Sequence, residues 1–428
     1  ADLESGEWYF GRGTADMKFG HALCIELLRH YSEEKADCNF LYAGVCGEET
    51  NSEGMLRALS FFNEFAKDQN LKYRLLLLTE CFMVDNAEEG CKYIQYGASG
   101  KVMPMFFCVG AATHGEEPFL GLDANLLSQE IYKQVHLNPV FCQQNHGITT
   151  APPAGLKQQD LKTCYSLSSP LYAASYFNIA TIRLEPETLM QNLVKAAETA
   201  FENVLDFIQS RVDAFEKLTG SRPKAYTAKP CVKTFQEIYA AAEQNYSGDL
   251  KAHLQDYTKK LLLENPEIQD ACVKLVRHLY EIYGEKQPMI IVSVIPPFYP
   301  DVNVDLEDSD TKAMLDCVDE LTVYAEKKYG EKLRKSEYYG ISDLCYTWLA
   351  EGMDFDALFQ NLAGVDLVYQ LPTEALKVFR APGVIIGGYG KDLHKYTERL
   401  HKGYNFDVLP DLYLTYIDMM VKRWKEDR

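Results

Sequence analysis

Two glutamates, Glu48 and Glu49, stand side by side at the end of the apolar run Phe40-Leu-Tyr-Ala-Gly-Val-Cys-Gly-Glu-Glu-Thr50. Asp16 lies upstream in Gly11-Arg-Gly-Thr-Ala-Asp-Met-Lys18, and Glu80 ends the stretch Leu75-Leu-Leu-Leu-Thr-Glu80. Each carboxylate falls where a stretch predicted as a strand gives way to a loop, and in open α/β sheets ligand sites gather at the carboxyl ends of strands. A fourth group arrives from far along the chain. His394 follows Val384-Ile-Ile and a glycine-rich turn in Gly388-Tyr-Gly-Lys-Asp-Leu-His-Lys-Tyr-Thr-Glu398. Three acidic positions joined by a distant imidazole describe a metal site. Carboxylate and imidazole ligands suit Zn²⁺, and also Mn²⁺ or Co²⁺. A two-metal hydrolase holds its ions roughly 3.5–4 Å apart to activate water and polarise a carbonyl, and it needs a separate base. Glu48 can be that base, because neighbours in a loop point different ways. Taken singly, each residue has a plainer reading: a solvated Glu-Glu pair, an exposed His among Lys and Glu, a tight turn at Gly-Arg-Gly. The ordered set is what carries the metal reading.

The elements that must position these groups are legible as patterns. Segments 40–46, 73–79, 289–295 and 383–388 are short continuous apolar runs, as strands buried on both faces read, which predicts a mostly parallel sheet covered by helices. Helical patterns follow at 21–28 and 53–65. The middle of the chain changes character: 101–109 alternates loosely like an edge strand, interrupted by Pro104. A helix at 126–135, a strand at 174–184 and a long helix from Pro186 come next. These predict a small α+β insert over 99–228, between catalytic segments 1–98 and 229–428. Residues 235–283 read as amphipathic helices. Residues 301–310 read as an acidic surface loop, without the regular ligand spacing of a calcium site.

Composition narrows the class. The 428 residues carry a formal charge of −19, which argues against nucleic acid and anionic membranes, whose affinity comes from Lys and Arg. No run reaches the roughly 18 apolar residues of a membrane span. The opening Ala1-Asp-Leu-Glu-Ser-Gly-Glu is acidic, unlike a signal or transit peptide, so a cytoplasmic location is expected. Twelve cysteines are scattered without a C-x-x-C, which reads as reduced and mostly buried thiols, Cys24, Cys46, Cys108 and Cys272 among them. No Cys is paired with a His motif that would make it a nucleophile.

The ordered motifs resemble the M20 family of metallopeptidases and aminoacylases: Gly-Arg-Gly-Thr-Ala-Asp, then Gly-Glu-Glu, then Glu80, then His394-x-x-x-Glu398. Thr113-His-Gly-Glu-Glu-Pro-Phe-Leu-Gly-Leu-Asp-Ala-Asn125 is similar to the family's lid-domain signature. Pro152-Pro-Ala-Gly-Leu-Lys-Gln-Gln-Asp-Leu-Lys162, Tyr176-Phe-Asn178, Ile295-Pro-Pro-Phe-Tyr-Pro300 and Gly340-Ile-Ser-Asp343 resemble its RocB-type arginine-utilisation branch. The resemblance covers essentially the whole chain. It implies an M20-like catalytic domain with an inserted lid and dimerisation domain, one or two divalent ions per chain, and a small amino-acid or peptide derivative as substrate. It makes Asp16 the bridging ligand, with Glu49 and His394 completing one metal and Glu80 on the other. Glu48 becomes the general base, and His114 reaches across a homodimer to stabilise the oxyanion, although a loop His before Gly-Glu-Glu-Pro also reads as a surface residue. Two features depart from the pattern. A His-x-Asp motif that family members carry before the Gly-Arg-Gly loop is absent, so a preceding segment is expected to be missing from this sequence. Otherwise half the metal site has been lost, which leaves a non-catalytic binding or scaffold protein as the alternative. The second departure is Ser342-Asp-Leu344, where no Arg follows the Asp.

Overall fold

The computed structural model describes residues 2–34, 37–82, 91–349, 355–364 and 366–426. They fall into two compact units. The first comprises Ala1–Ser99, Val302–Ala350 and Pro372–Arg428, and the second Gly100–Asp301 and Glu351–Leu371.

The first unit carries two four-stranded sheets. One has the strand order Lys332–Tyr339, Cys91–Ala98, Gly383–Ile386, Leu76–Leu78. Its outer pairs are parallel and its central pair is antiparallel. The other has the order Trp8–Phe10, Arg399–His401, Gly388–Lys391, Cys81–Phe82, with only the last pair parallel. Both sheets are therefore mixed, where continuous apolar runs predicted mostly parallel pairing. An apolar run reports burial of both faces and says nothing of strand direction. Helices Phe19–Glu34, Ser309–Tyr329 and Leu409–Glu426 supply the rest of this core. Leu409, Leu412, Tyr413, Tyr416 and Met420 repeat at helical spacing, and they are buried in one cluster with Met314, Leu321, Ile94 and Val384. Asp308 caps the helix Ser309–Tyr329 by accepting from Thr311 N at 2.9 Å.

Residues 40–46 form no strand. The segment joins no ladder among the described strands, and Phe40 and Leu41 are exposed. Apolar composition alone does not supply a hydrogen-bonded neighbour. The acidic stretch 301–310 is likewise not a plain surface loop, because both of its ends are buried. Asp301 accepts from the backbone N–H of Arg183 and Leu184 at 2.6 and 3.1 Å. Asp310, with a fully buried side chain, takes Lys72 at 2.6 Å and Arg74 at 2.8 Å.

The second unit is built on a five-stranded sheet ordered Val232–Thr234, Met289–Tyr299, Gly100–Val109, Tyr172–Thr181, Ala154–Asp160. Helices Phe235–Asn245, Leu250–Glu264 and Ile268–Tyr283 share a core with its strands, through Ile238, Leu254, Leu275, Leu279, Phe107 and Ile291. Residues 229–301, which sequence grouped with the catalytic segments, pack here because Met289–Tyr299 pairs antiparallel with Gly100–Val109. That strand is central and not an edge. Pro104 is accommodated because the ladder to Tyr172–Thr181 leaves the two positions between Val102 and Met105 unpaired. Among the described residues no helix is long and apolar enough to cross a membrane.

Candidate metal centre

The loop that presents Asp16 is tied down by one buried carboxylate. Glu398, with no exposed side-chain area, accepts from Ala15 N at 3.0 Å and Asp16 N at 3.2 Å through Oε1. Its Oε2 takes Arg12 Nη1 at 2.9 Å, while Gly11 N donates to its carbonyl at 3.0 Å. Burial works to raise the Glu398 carboxyl. The N–H groups of Gly13, Asp16 and Ala15 and the Arg12 guanidinium outweigh it, holding Glu398 below the usual range and charged. Backbone contact is close on both sides of the loop. A Cβ on Gly20 would lie 2.5 Å from Thr79 Oγ1, and one on Gly390 would lie 2.5 Å from Ala15 Cβ.

Glu48 and Glu49 sit on a tight turn. Gly47 takes φ 76°, and its carbonyl accepts from Thr50 N at 3.2 Å and Ser52 N at 2.8 Å. Gly54 N donates to Cys46 O at 2.9 Å as the helix Glu53–Asp68 begins. Ser52 occupies that helix's N-cap position without capping it. Its hydroxyl bonds the carboxyl of Asp343 instead.

These loops converge with the one carrying His394. His394 Nε2 lies 2.6 Å from Asp16 Oδ2 and 2.9 Å from Glu49 Oε1, and the three ligand atoms lie within 4.8 Å of one another. His394 itself holds φ 64°, a left-handed conformation uncommon outside glycine and frequent at functional sites. Buried Glu80 bonds Asp16, so Asp16 touches both His394 and Glu80. Burial, then the charges of Asp16 and Glu48, push Glu80 well up. Glu48 is pushed up to about 7, first by burial, then by Asp343, Glu49 and Asp16, with His394 working the other way. Asp343 is pushed up to about 6 by burial, against the Ser52 hydroxyl. Two carboxylates thus meet the imidazole directly, and Glu48, Glu80 and Asp343 stand behind them. Such a set repels itself unless protons or a cation offset it, and its oxygen and nitrogen donors fit a divalent ion.

The remaining sequence candidates resolve individually. His114 belongs to the second unit, half exposed, with Nδ1 accepting from Glu116 N at 3.3 Å. None of the twelve cysteines forms a disulfide; Cys108 and Cys272 are buried, but Cys24 is half-buried and Cys46 exposed, since the latter lies in the segment before Gly47 that forms no strand. Cys81, next to Glu80, is buried, donates to Gly388 O at 3.0 Å, and is pushed far above the thiol range by burial and the neighbouring carboxylates. It is no nucleophile.

The description of peptidase family M20/M25/M40 matches residues 2–376. YqjN of Bacillus subtilis, an uncharacterised protein, is 33% identical over 99% of this chain and 76% of its own length. The chain belongs to the M20/M25/M40 peptidase family. It is an M20-type metallohydrolase. RocB of the same organism is 27% identical over 96% of this chain and 72% of its own. Two solved M20-like structures are more distant. The aminopeptidase PepT of Bacillus cereus is 12% identical, with a TM-score of 0.47 over 95% of this chain and 71% of its own. YxeP of B. subtilis, described as a dinuclear metal-binding M20 peptidase, is 10% identical, with a TM-score of 0.40 over 94% and 71%.

Within this M20 chain, two supporting residues escaped sequence reasoning. Glu398 ended the His394 motif in plain sight, yet its bonds run to a loop almost four hundred residues away. Asp343 lay in the quoted motif Gly340-Ile-Ser-Asp343, but that motif gave no hint of its bond to Ser52.

Proposed function

We propose that this chain hydrolyses an amide or peptide bond in a small amino-acid derivative, with Glu48 as general base beside one or two divalent ions. The observation that carries this reading is the convergence of Asp16, Glu49 and His394, with Glu48 poised at about 7 next to them. Asp16, Glu49 and His394 would hold one ion. Glu80, joined to Asp16, would serve a second, which supports Asp16 as the bridging ligand. Zinc suits the donors, as do manganese and cobalt. When bound, the ions would polarise the scissile carbonyl and lower the pKa of the attacking water.

The chain's own groups do the rest. A base works best with a pKa near the working pH, and Glu48 stands there. Its carboxylate takes the proton of the attacking water and delivers it to the leaving amine. Glu398 keeps the Asp16 loop fixed through the cycle. His114 would stabilise the developing oxyanion from a partner subunit, in a homodimer formed through a lid that includes 99–228. Likeness to RocB supports a place in arginine catabolism, and the location proposed for the enzyme is the cytoplasm. The test is Glu48→Gln: turnover of N-acyl amino acids and dipeptides should fall about 10²–10⁴-fold with metal content unchanged. Undiminished turnover overturns Glu48 as the base, and a metal-loaded native protein that cleaves none of them overturns the reading in favour of a scaffold.

A further inference from the structure

Asp343 stands beside the catalytic turn with part of its carboxylate unused. The residue is 7% exposed. The Ser52 hydroxyl bonds the group, yet Oδ1 is buried with no hydrogen-bond partner. Ser52 closes the Glu48–Glu49 turn by donating its N–H to Gly47 O at 2.8 Å, so its hydroxyl ties Asp343 to that turn. Among the described residues no lysine or arginine is paired with it, and the segment 340–350 that carries it contains none.

A buried carboxylate oxygen with no donor is costly, and a second acid alongside increases the cost. Asp343 is not among the three residues whose ligand atoms converge, so the candidate metal leaves it unpaired. What offsets it best is a donor that is also a cation, because charge-assisted hydrogen bonds are the strong ones and are strengthened away from water. We propose that Asp343 is a specificity-determining residue that receives a positively charged group of the substrate. The preferred substrate is then an amino-acid derivative with an ammonium or guanidinium close to the bond cleaved. This rests on the hydrolase reading above and names the substrate class for it.

Calorimetric titration of metal-loaded Glu48→Gln protein, with and without Asp343→Asn, tests the assignment. The probes are argininamide, citrullinamide, N-acetylargininamide and N-acetylcitrullinamide, which carry the two cationic groups together, singly or not at all. With Asp343 present, at least one charged probe should bind about 10–100-fold more tightly than N-acetylcitrullinamide, and Asp343→Asn should abolish that preference at unchanged metal content. Which probe loses affinity identifies the cation. Equal or no binding of all four with Asp343 present overturns the proposal without needing the variant. So does a preference that survives Asp343→Asn, or a uniform loss across the four. If the charge preference holds but the native protein cleaves no corresponding substrate, the hydrolase reading falls while the binding assignment stands.

Discussion

Glu48 shows how residue type and surroundings divide the work. An ordinary glutamate is fully ionised well below neutral pH, but burial and three neighbouring acids keep this one protonated up to about 7. The sign follows directly. Between roughly pH 4.5 and 7 the folded metal-free protein binds more protons here than the unfolded chain, so stability falls as pH rises. Glu80 and Asp343 shift in the same direction and add to the trend. We therefore expect the melting temperature of the metal-free protein to drop from pH 5 to pH 8, and a divalent ion to flatten that slope. A metal-free melting temperature that rises over this range would contradict the assignment. His394 carries a second residue-scale expectation. Its imidazole meets two carboxylates at 2.6 and 2.9 Å, so His394→Ala should cut metal affinity by at least tenfold, read by competition with a chelating dye. Asp16, Glu48, Glu49, Glu80 and His394 drew notice in sequence as an ordered set, with Glu48 and Glu80 closing apolar runs and Asp16 and His394 set in glycine-rich loops. Asp343 stood in the quoted motif Gly340-Ile-Ser-Asp343, but its contact with Ser52 joins segments almost three hundred residues apart and leaves no local pattern.

At the scale of elements, the site depends on loops held by backbone contacts. Removing the Glu398 carboxylate strands the N–H groups of Ala15 and Asp16 and the Arg12 guanidinium. Glu398→Ala should cost about 2–4 kcal/mol in urea denaturation, and Glu398→Gln, which still accepts one N–H, should cost less. Equal midpoints for the two would show that the loop does not rest on this group. Gly54 makes a similar demand on space: a Cβ there would lie 2.4 Å from both Cys46 N and Cys46 O. Gly54→Ala should shift the Glu48–Glu49 turn, lowering stability by about 1–3 kcal/mol and reducing metal affinity. Helices were the elements sequence located best, because the spacing along Pro186–Thr219 reports one buried face over many residues. Strands were harder. The run 40–46 has strand composition but no partner, and Pro104 suggested an edge in what is a central strand. Pairing is a property of two segments, and only one is visible at a time.

For the whole molecule, sequence foresaw the M20 class, but not the course of the chain between units. Residues 229–301 return to the sheet begun at Gly100, a long-range pairing that no local pattern encodes. The cluster assembles from residues as far apart as Asp16 and His394, within the first unit. That assembly is the central claim, and elemental analysis tests it most directly. After dialysis against Zn²⁺ or Mn²⁺ and removal of free ions, the native protein should retain one to two ions per chain. The Asp16→Ala, Glu49→Ala, His394→Ala triple variant should retain none. A native protein that holds no ion, or a triple variant that holds as many, would contradict the account.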